Sequence, residues 1–236
     1  MLPFLLNLTM TDIRLINFLS EFVSERRLTL IENVLDNRTR YATVLLEDIY
    51  QSQNASAVLR TCECLGIQDI HIVENKNEYH YNPGVAMGSG KWTNLRKFNK
   101  HQNNSLQAIE YLKSNNYRIV ATVPGENCIT LENFDIEKGK FAIVLGSELE
   151  GISEEIRNLA DELLTIPMFG FTESFNISVS TAIILHHLMS KIKSSHVDWH
   201  LTEEEKLSLK LEWLKASVKK PELLVKKFHE NTSKYV

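Results

Sequence analysis

Apolar residues along the 236-residue chain follow two rhythms. Between Thr11 and Asp36, Ile13, Ile16, Leu19, Phe22 and Val23, then Ile31, Val34 and Leu35, recur at helical spacing, which predicts an N-terminal helical segment broken near Arg26. From Ala42 onward, short apolar runs alternate with helical stretches. Strands are predicted at Ala42 to Leu46, Ile70 to Val73, Arg118 to Val123, Phe141 to Leu145 and Leu163 to Ile166. Helices are predicted at Ala55 to Leu65, Ser105 to Ser114, Ser153 to Ala160 and Ile177 to Ile192. Near-continuous apolar strands are buried on two sides, so this alternation predicts an α/β fold, a mostly parallel sheet with helices on both faces. Asn75 to Asn94, containing Asn82-Pro-Gly84 and Met87-Gly-Ser-Gly-Lys-Trp92, reads as a long loop. Thr202-Glu-Glu-Glu205 reads as an N-cap with an acidic first turn, opening a helix to about Val218, and Pro221 starts a shorter one. The organisation expected is a helical arm (1–40), one main domain (41–195) and a basic helical extension (196–236).

This length suits one substantial core with helical additions. The apolar start, Leu2 to Leu8, is short and lacks a basic flank, which argues against a signal peptide. No run approaches the roughly 20 apolar residues that span a bilayer, and the expectation is a soluble cytoplasmic protein. Cys62, Cys64 and Cys128 fit neither a disulfide framework nor zinc spacing and are expected to be buried, reduced hydrophobes. Adjacent His186 and His187 point to different helix faces, so no metal is expected.

A net charge of −4 weakly opposes a nucleic-acid partner, but the charge is unevenly spread. From Trp213 to Lys234, Lys215, Lys219, Lys220, Lys226, Lys227 and Lys234 face only Glu222 and Glu230. Arg26, Arg27, Arg38 and Arg40 form a second group, and Lys91, Arg96, Lys97 and Lys100 a third. Each alone reads as a solvated face; their meaning depends on the motifs beside them.

Two familiar nucleotide-binding patterns are missing. After Ala42 to Leu46 the chain reads Glu-Asp-Ile-Tyr-Gln-Ser-Gln-Asn54, without the glycine turn of a Rossmann unit. Gly146-Ser-Glu-Leu-Glu-Gly151 lacks the Gly-Lys-Ser/Thr ending of a P-loop and would alone be an ordinary strand-to-helix turn. Taken together, three stretches are more specific: Asn54 with Arg60; Gly146, Glu148 and Gly151; and Ile166-Pro-Met168 with Ser174, Asn176 and Ser178. Their order and spacing resemble the motifs of the SpoU-type RNA 2′-O-methyltransferases, a branch of the knotted SPOUT superfamily. Gly88-Ser-Gly-Lys-Trp92 is similar to a further family segment. Departures are Phe175 for the usual Leu, Ile177 for Val and Ser180 for Ala.

The resemblance implies a C-terminal trefoil knot and S-adenosylmethionine as methyl donor. It implies that Thr122, Leu145, Gly146, Ile166, Met168 and Phe175 bind the cofactor, and that Arg60, Glu148, Asn54, Asn176 and Ser174 form the catalytic group. Arginine side chains stay protonated throughout the physiological pH range, so Arg60 suits a bidentate phosphate clamp better than a base. Glu148 could position its loop, accept a hydrogen bond or cap the helix after Ser153, and Asn54 could equally be the N-cap of its own helix. Ser174 has no His–Asp companion to make it a nucleophile.

Beside these motifs the basic groups become candidate RNA contacts, with Arg26, Arg27, Arg38, Lys91, Lys219 and Lys220 foremost. The short arm and the run Val44-Leu-Leu-Glu-Asp48 resemble the branch that methylates a D-loop guanosine of tRNA, and family members are homodimers. The alternatives are the same chemistry on ribosomal RNA or another tRNA ribose, and a non-catalytic RNA-binding protein of the same fold.

Overall fold

A computed structural model describes residues 9–125 and 127–232. The apolar start Leu2 to Leu8 and Lys234 of the basic C-terminal group lie outside the described residues. Two compact units are present: Thr39–Trp199, and a second made by residues up to Arg38 together with those from His200 onward.

The second unit contributes helices α1 (Met10–Ser20) and α2 (Glu25–Leu35). Between them the predicted break falls at residues 21–24, just before Arg26, where Ser24 caps α2. In Thr39–Trp199 the order is β1 (Ala42–Glu47), α3 (Ser52–Cys64), β2 (Asp69–Val73), α4 (Pro83–Ala86), β3 (Asn94–Phe98), α5 (Asn104–Ser114), β4 (Arg118–Thr122), β5 (Ile129–Thr130), β6 (Phe141–Leu145), α6 (Glu154–Leu159), β7 (Glu162–Thr165) and α7 (Ile177–Lys193). Helices α8 (Glu203–Ser217) and α9 (Pro221–Thr232) return to the second unit.

The sheet has seven strands in the order β3-β2-β1-β6-β4-β7-β5, and every pairing is parallel. Alternate residues of the central strands feed two cores. Val44, Leu46, Ile143 and Leu145 face a core completed by Val58 and Leu59 of α3 and Leu185 and Leu188 of α7. Leu45, Ala142, Val144 and Ala121 face the other, closed by Ile109 and Leu112 of α5 and Ile156 of α6. Burial on both sides is why β1 and β6 read as continuous apolar runs rather than alternating ones.

Two strands differ from the sequence reading. β3, which the apolar pattern did not predict, follows the stretch read as a loop and carries two of the third basic group: Lys97 pairs with Glu74 at 2.6 Å, and Arg96 stacks 4.4 Å above Tyr111. Charges that alone read as a solvated face are here absorbed by the edge of the sheet. β5 is only two residues long and carries no periodicity. The 75–94 stretch is also less irregular than expected, holding α4 and a 3-10 turn at Ser89–Lys91. Among the cysteines Cys62 is buried, whereas Cys64 is exposed, contrary to expectation, because it falls on the outer side of α3.

In the second unit, Thr9 with Asp12 and Thr202 with Glu205 form capping boxes on α1 and α8. Arg38 corrects one expectation. It is 1% exposed, with its guanidinium 5.3 Å from the centroid of the Trp213 ring, so it is a core cation rather than a surface contact for RNA. Among the described residues no helix is long and apolar enough to cross a membrane, and no cluster of His, Cys, Asp and Glu could hold a metal ion.

Candidate active site

The carboxyl ends of β4, β6 and β7 open into a cavity of about 390 Å³. Ligand clefts of α/β sheets form at such strand ends because chain connections diverge there. The walls include Thr122, Leu145, Gly146, Ile166, Met168 and Phe175, together with Asn54, Glu148, Ser174 and Asn176. Ten of the eleven cofactor and catalytic positions expected from the sequence are therefore gathered in one place.

The turn after β6 has a physical reason for each glycine. A Cβ on Gly146 would lie 2.0 Å from the carbonyl carbon of Gly151 and 2.1 Å from the nitrogen of Ile152, so the backbone crosses where a side chain would sit. Gly151 has φ +70°, in the left-handed region. Ser147 and Gly151 exchange backbone hydrogen bonds of 2.9 Å in both directions, and the Ser147 hydroxyl accepts from the Glu150 N–H at 3.1 Å. A pinched loop results, with Glu148 at its tip.

Glu148 is held from α3 and from the segment that leads into it. The Asn54 amide donates to Glu148 Oε1 at 2.6 Å, and the Tyr50 N–H donates to Oε2 at 3.3 Å. Asn176 donates to Asn54 Oδ1 at 3.2 Å, while its own Oδ1 accepts from Ser178 N–H at 2.9 Å and from the Ser178 hydroxyl at 2.6 Å. Ser178, Asn176, Asn54 and Glu148 thus form one directed chain of hydrogen bonds across the three sequence motifs.

Two local roles are corrected. Asn54 lies within the first turn of α3, whose N-cap is Gln51, so it is a link to Glu148 and not the cap. Asn176 is the capping residue of α7, and Ser153, rather than Glu148, caps α6. Thr122 donates to the Val144 carbonyl at 2.9 Å, which ties β4 to β6 beside the cavity.

Arg60 is not brought to this cavity. It is exposed on α3, six residues beyond Asn54, and 100° per residue carries it to a different helix face. Lys91, Arg26, Arg27, Lys219 and Lys220 are exposed. Wall residues that sequence reasoning missed include Gln51, Ser147 and Ile184. Ile184 carried a usable signal, because it lies seven residues after Ile177 on α7 and therefore on the same helical face.

The family model for the SpoU rRNA Methylase family matches residues 41–186. The chain belongs to this family. It is accordingly an S-adenosylmethionine-dependent RNA 2′-O-methyltransferase. A tRNA (guanosine(18)-2′-O)-methyltransferase of Borreliella burgdorferi is 46% identical over 204 residues, covering 86% of this chain and 91% of the relative. One of the same name from Thermus thermophilus is 36% identical over 163 residues, 69% of this chain and 81% of the relative. The crystal structure of an Aquifex aeolicus TrmH/SpoU tRNA modifying enzyme superposes with a TM-score of 0.72 at 30% identity, covering 83% of this chain and 98% of that one.

Proposed function

We propose that this methyltransferase acts in the cytoplasm on tRNA, at the ribose 2′-oxygen of D-loop guanosine 18, as a homodimer with a C-terminal trefoil knot. The observation that carries the reading is the Asn176–Asn54–Glu148 chain at the mouth of the cavity. Its tRNA specificity is supported by the names of relatives that align along most of this chain.

The cavity suits the methyl donor: Leu145, Ile166 and Met168 offer apolar surface for an adenine, and the glycine turn brings backbone polar groups close. Bound S-adenosylmethionine supplies an electrophilic methyl group. Thr122, Gly146 and Phe175 frame that ligand. Glu148, with one oxygen engaged by Asn54 and the other by the Tyr50 N–H, still keeps lone pairs for the ribose hydroxyl. Ser174 and Asn176 bind on the substrate side. Arg60 clamps the phosphate of the target nucleotide, and the oriented hydroxyl gives up its proton to that phosphate, to Glu148 or to water. Alignment of this kind can supply about 7–11 kcal/mol of barrier lowering.

Because Arg60 does not line its own chain's cavity, it serves the cavity of a second copy. Supporting the dimer, Leu149, Phe169, Phe171 and Val179 are exposed on the turn, the following loop and α7. Phe169 also lines a groove with Leu131, Pro167, Ala182 and Ile183, alongside the polar Glu132, His186 and His187. Patches of this kind usually mark an interface. Arg26, Arg27, Lys91, Lys219 and Lys220 hold the RNA backbone, their charge outweighing the acidic total locally.

The test is transfer of labelled methyl to unmodified tRNA transcripts, followed by nuclease mapping. Label confined to the D-loop guanosine is expected; label only in ribosomal RNA would keep the chemistry and discard the substrate.

A further inference from the structure

Two buried acids stand near the carboxyl edge of the sheet, and they are held differently. Glu74, 9% exposed, meets Lys97 Nζ at 2.6 Å. Glu47, the last residue of β1 and 3% exposed, has no ion pair among the described residues. A buried acid without a cation is costly, and an apolar side chain would fill the same space more cheaply.

Its three hydrogen bonds show where that cost is spent. Glu47 Oε1 accepts from the Ser105 hydroxyl at 2.5 Å and from the Ser153 hydroxyl at 2.8 Å, and Oε2 accepts from the Ser153 N–H at 2.8 Å. Ser153 follows Gly151 by two residues and caps α6, so its hydroxyl proton is committed to Glu47 while its oxygen accepts from Ile156 N–H at 3.2 Å. At the other end of the turn, Leu145 pairs in register with Leu46, the residue before Glu47. The carboxylate therefore ties the exit of the Gly146–Gly151 turn to the strand that flanks its entry.

We propose that Glu47 is a positioning residue for catalysis, clamping this turn so that Glu148 meets the ribose hydroxyl. The proposal rests on the catalytic reading of Glu148. Glutamine at position 47 would keep the volume, but with its NH2 toward the Ser153 N–H that bond is lost, and with its NH2 toward the two hydroxyls both must turn from donor to acceptor and their protons lose Glu47, so the clamp is weakened in either orientation.

Single-turnover methyl transfer to tRNA is measured for the wild type, Glu47→Gln, Glu148→Gln and the double variant. Glu47→Gln is expected to slow transfer roughly tenfold with KM for tRNA unchanged, and to add less than about twofold once Glu148 is already glutamine. Wild-type rate in Glu47→Gln would overturn the proposal, as would an equal fold loss in both backgrounds, which would make Glu47 a general stabiliser. In either case a slow Glu148→Gln leaves the reading of Glu148 standing. Wild-type rate in Glu148→Gln removes that reading and the proposal together. Ser153→Ala keeps the N–H bond and loses the hydroxyl one. Should Glu47→Gln fail to fold, Ser153→Ala goes through the same cycle, with a loss of about two- to fivefold expected and none overturning the proposal.

Discussion

Two stretches border the same cavity and are built in opposite ways. The turn from Gly146 to Gly151 is bonded to itself, to α3 through Glu148 and to β1 just beyond its end. The stretch from Pro167 to Phe175 is irregular and carries Phe169 at 98% exposure, with Phe171 and Phe175 also exposed. A phenylalanine that exposed does nothing for the fold of its own chain. One wall of the site is thus preformed by a single chain, and on our reading the other is finished by a second copy.

The most severe way to break the preformed wall is Gly146→Ala. With Gly151 backbone 2.0 Å from the new Cβ, the turn cannot keep its path. Methyl transfer is expected to fall more than about a hundredfold, measured as a single-turnover rate.

Sharing between copies is tested by two inactive variants. Arg60→Ala and Glu148→Gln are each expected to lose activity on the order of a hundredfold. Co-expressed, they are expected to regain part of it, because one site of each mixed dimer has a native Arg60 from one chain and a native Glu148 from the other. Mixed dimers as inactive as the parents would place both residues in one chain's site.

The exposed stretch is probed by Phe169→Ser with Phe171→Ser. Sedimentation is expected to shift toward monomer, while unfolding free energy of the single chain changes by no more than about 0.5 kcal/mol, as for exposed positions generally. A large loss of stability would mean that these rings pack within the chain.

The smallest effect is expected at Phe175→Leu. The ring is 44% exposed and lines the cavity, so replacing it with the residue usual in the family should change cofactor Kd by less than about threefold in calorimetry. A larger change would make this loop as constrained as the turn.

The same contrast explains what could be read from the chain. β1, β6 and the cap at Thr202 depend on neighbours close in sequence, and they were legible. The cavity residues came from three motifs whose spacing carried information that periodicity did not. Partnerships over long separations were opaque. Asn54 could be read equally as a cap or as a functional hydrogen-bonder because its partner, Glu148, is 94 residues away. Arg38 looked like a surface charge because Trp213, which covers it, lies at the other end of the chain. β3 was hidden because its charges are satisfied by Glu74 and Tyr111, neither visible from the strand itself. Glu47, flanked by apolar Leu46 and acidic Asp48, gave no local sign that it would be buried.

The most direct measurement compares labelled methyl transfer to two tRNA transcripts identical except at guanosine 18, which is a ribonucleotide in one and 2′-deoxy in the other. Transfer to the first and none to the second is the expected result. Equal transfer to both would contradict a ribose 2′-oxygen acceptor at that position.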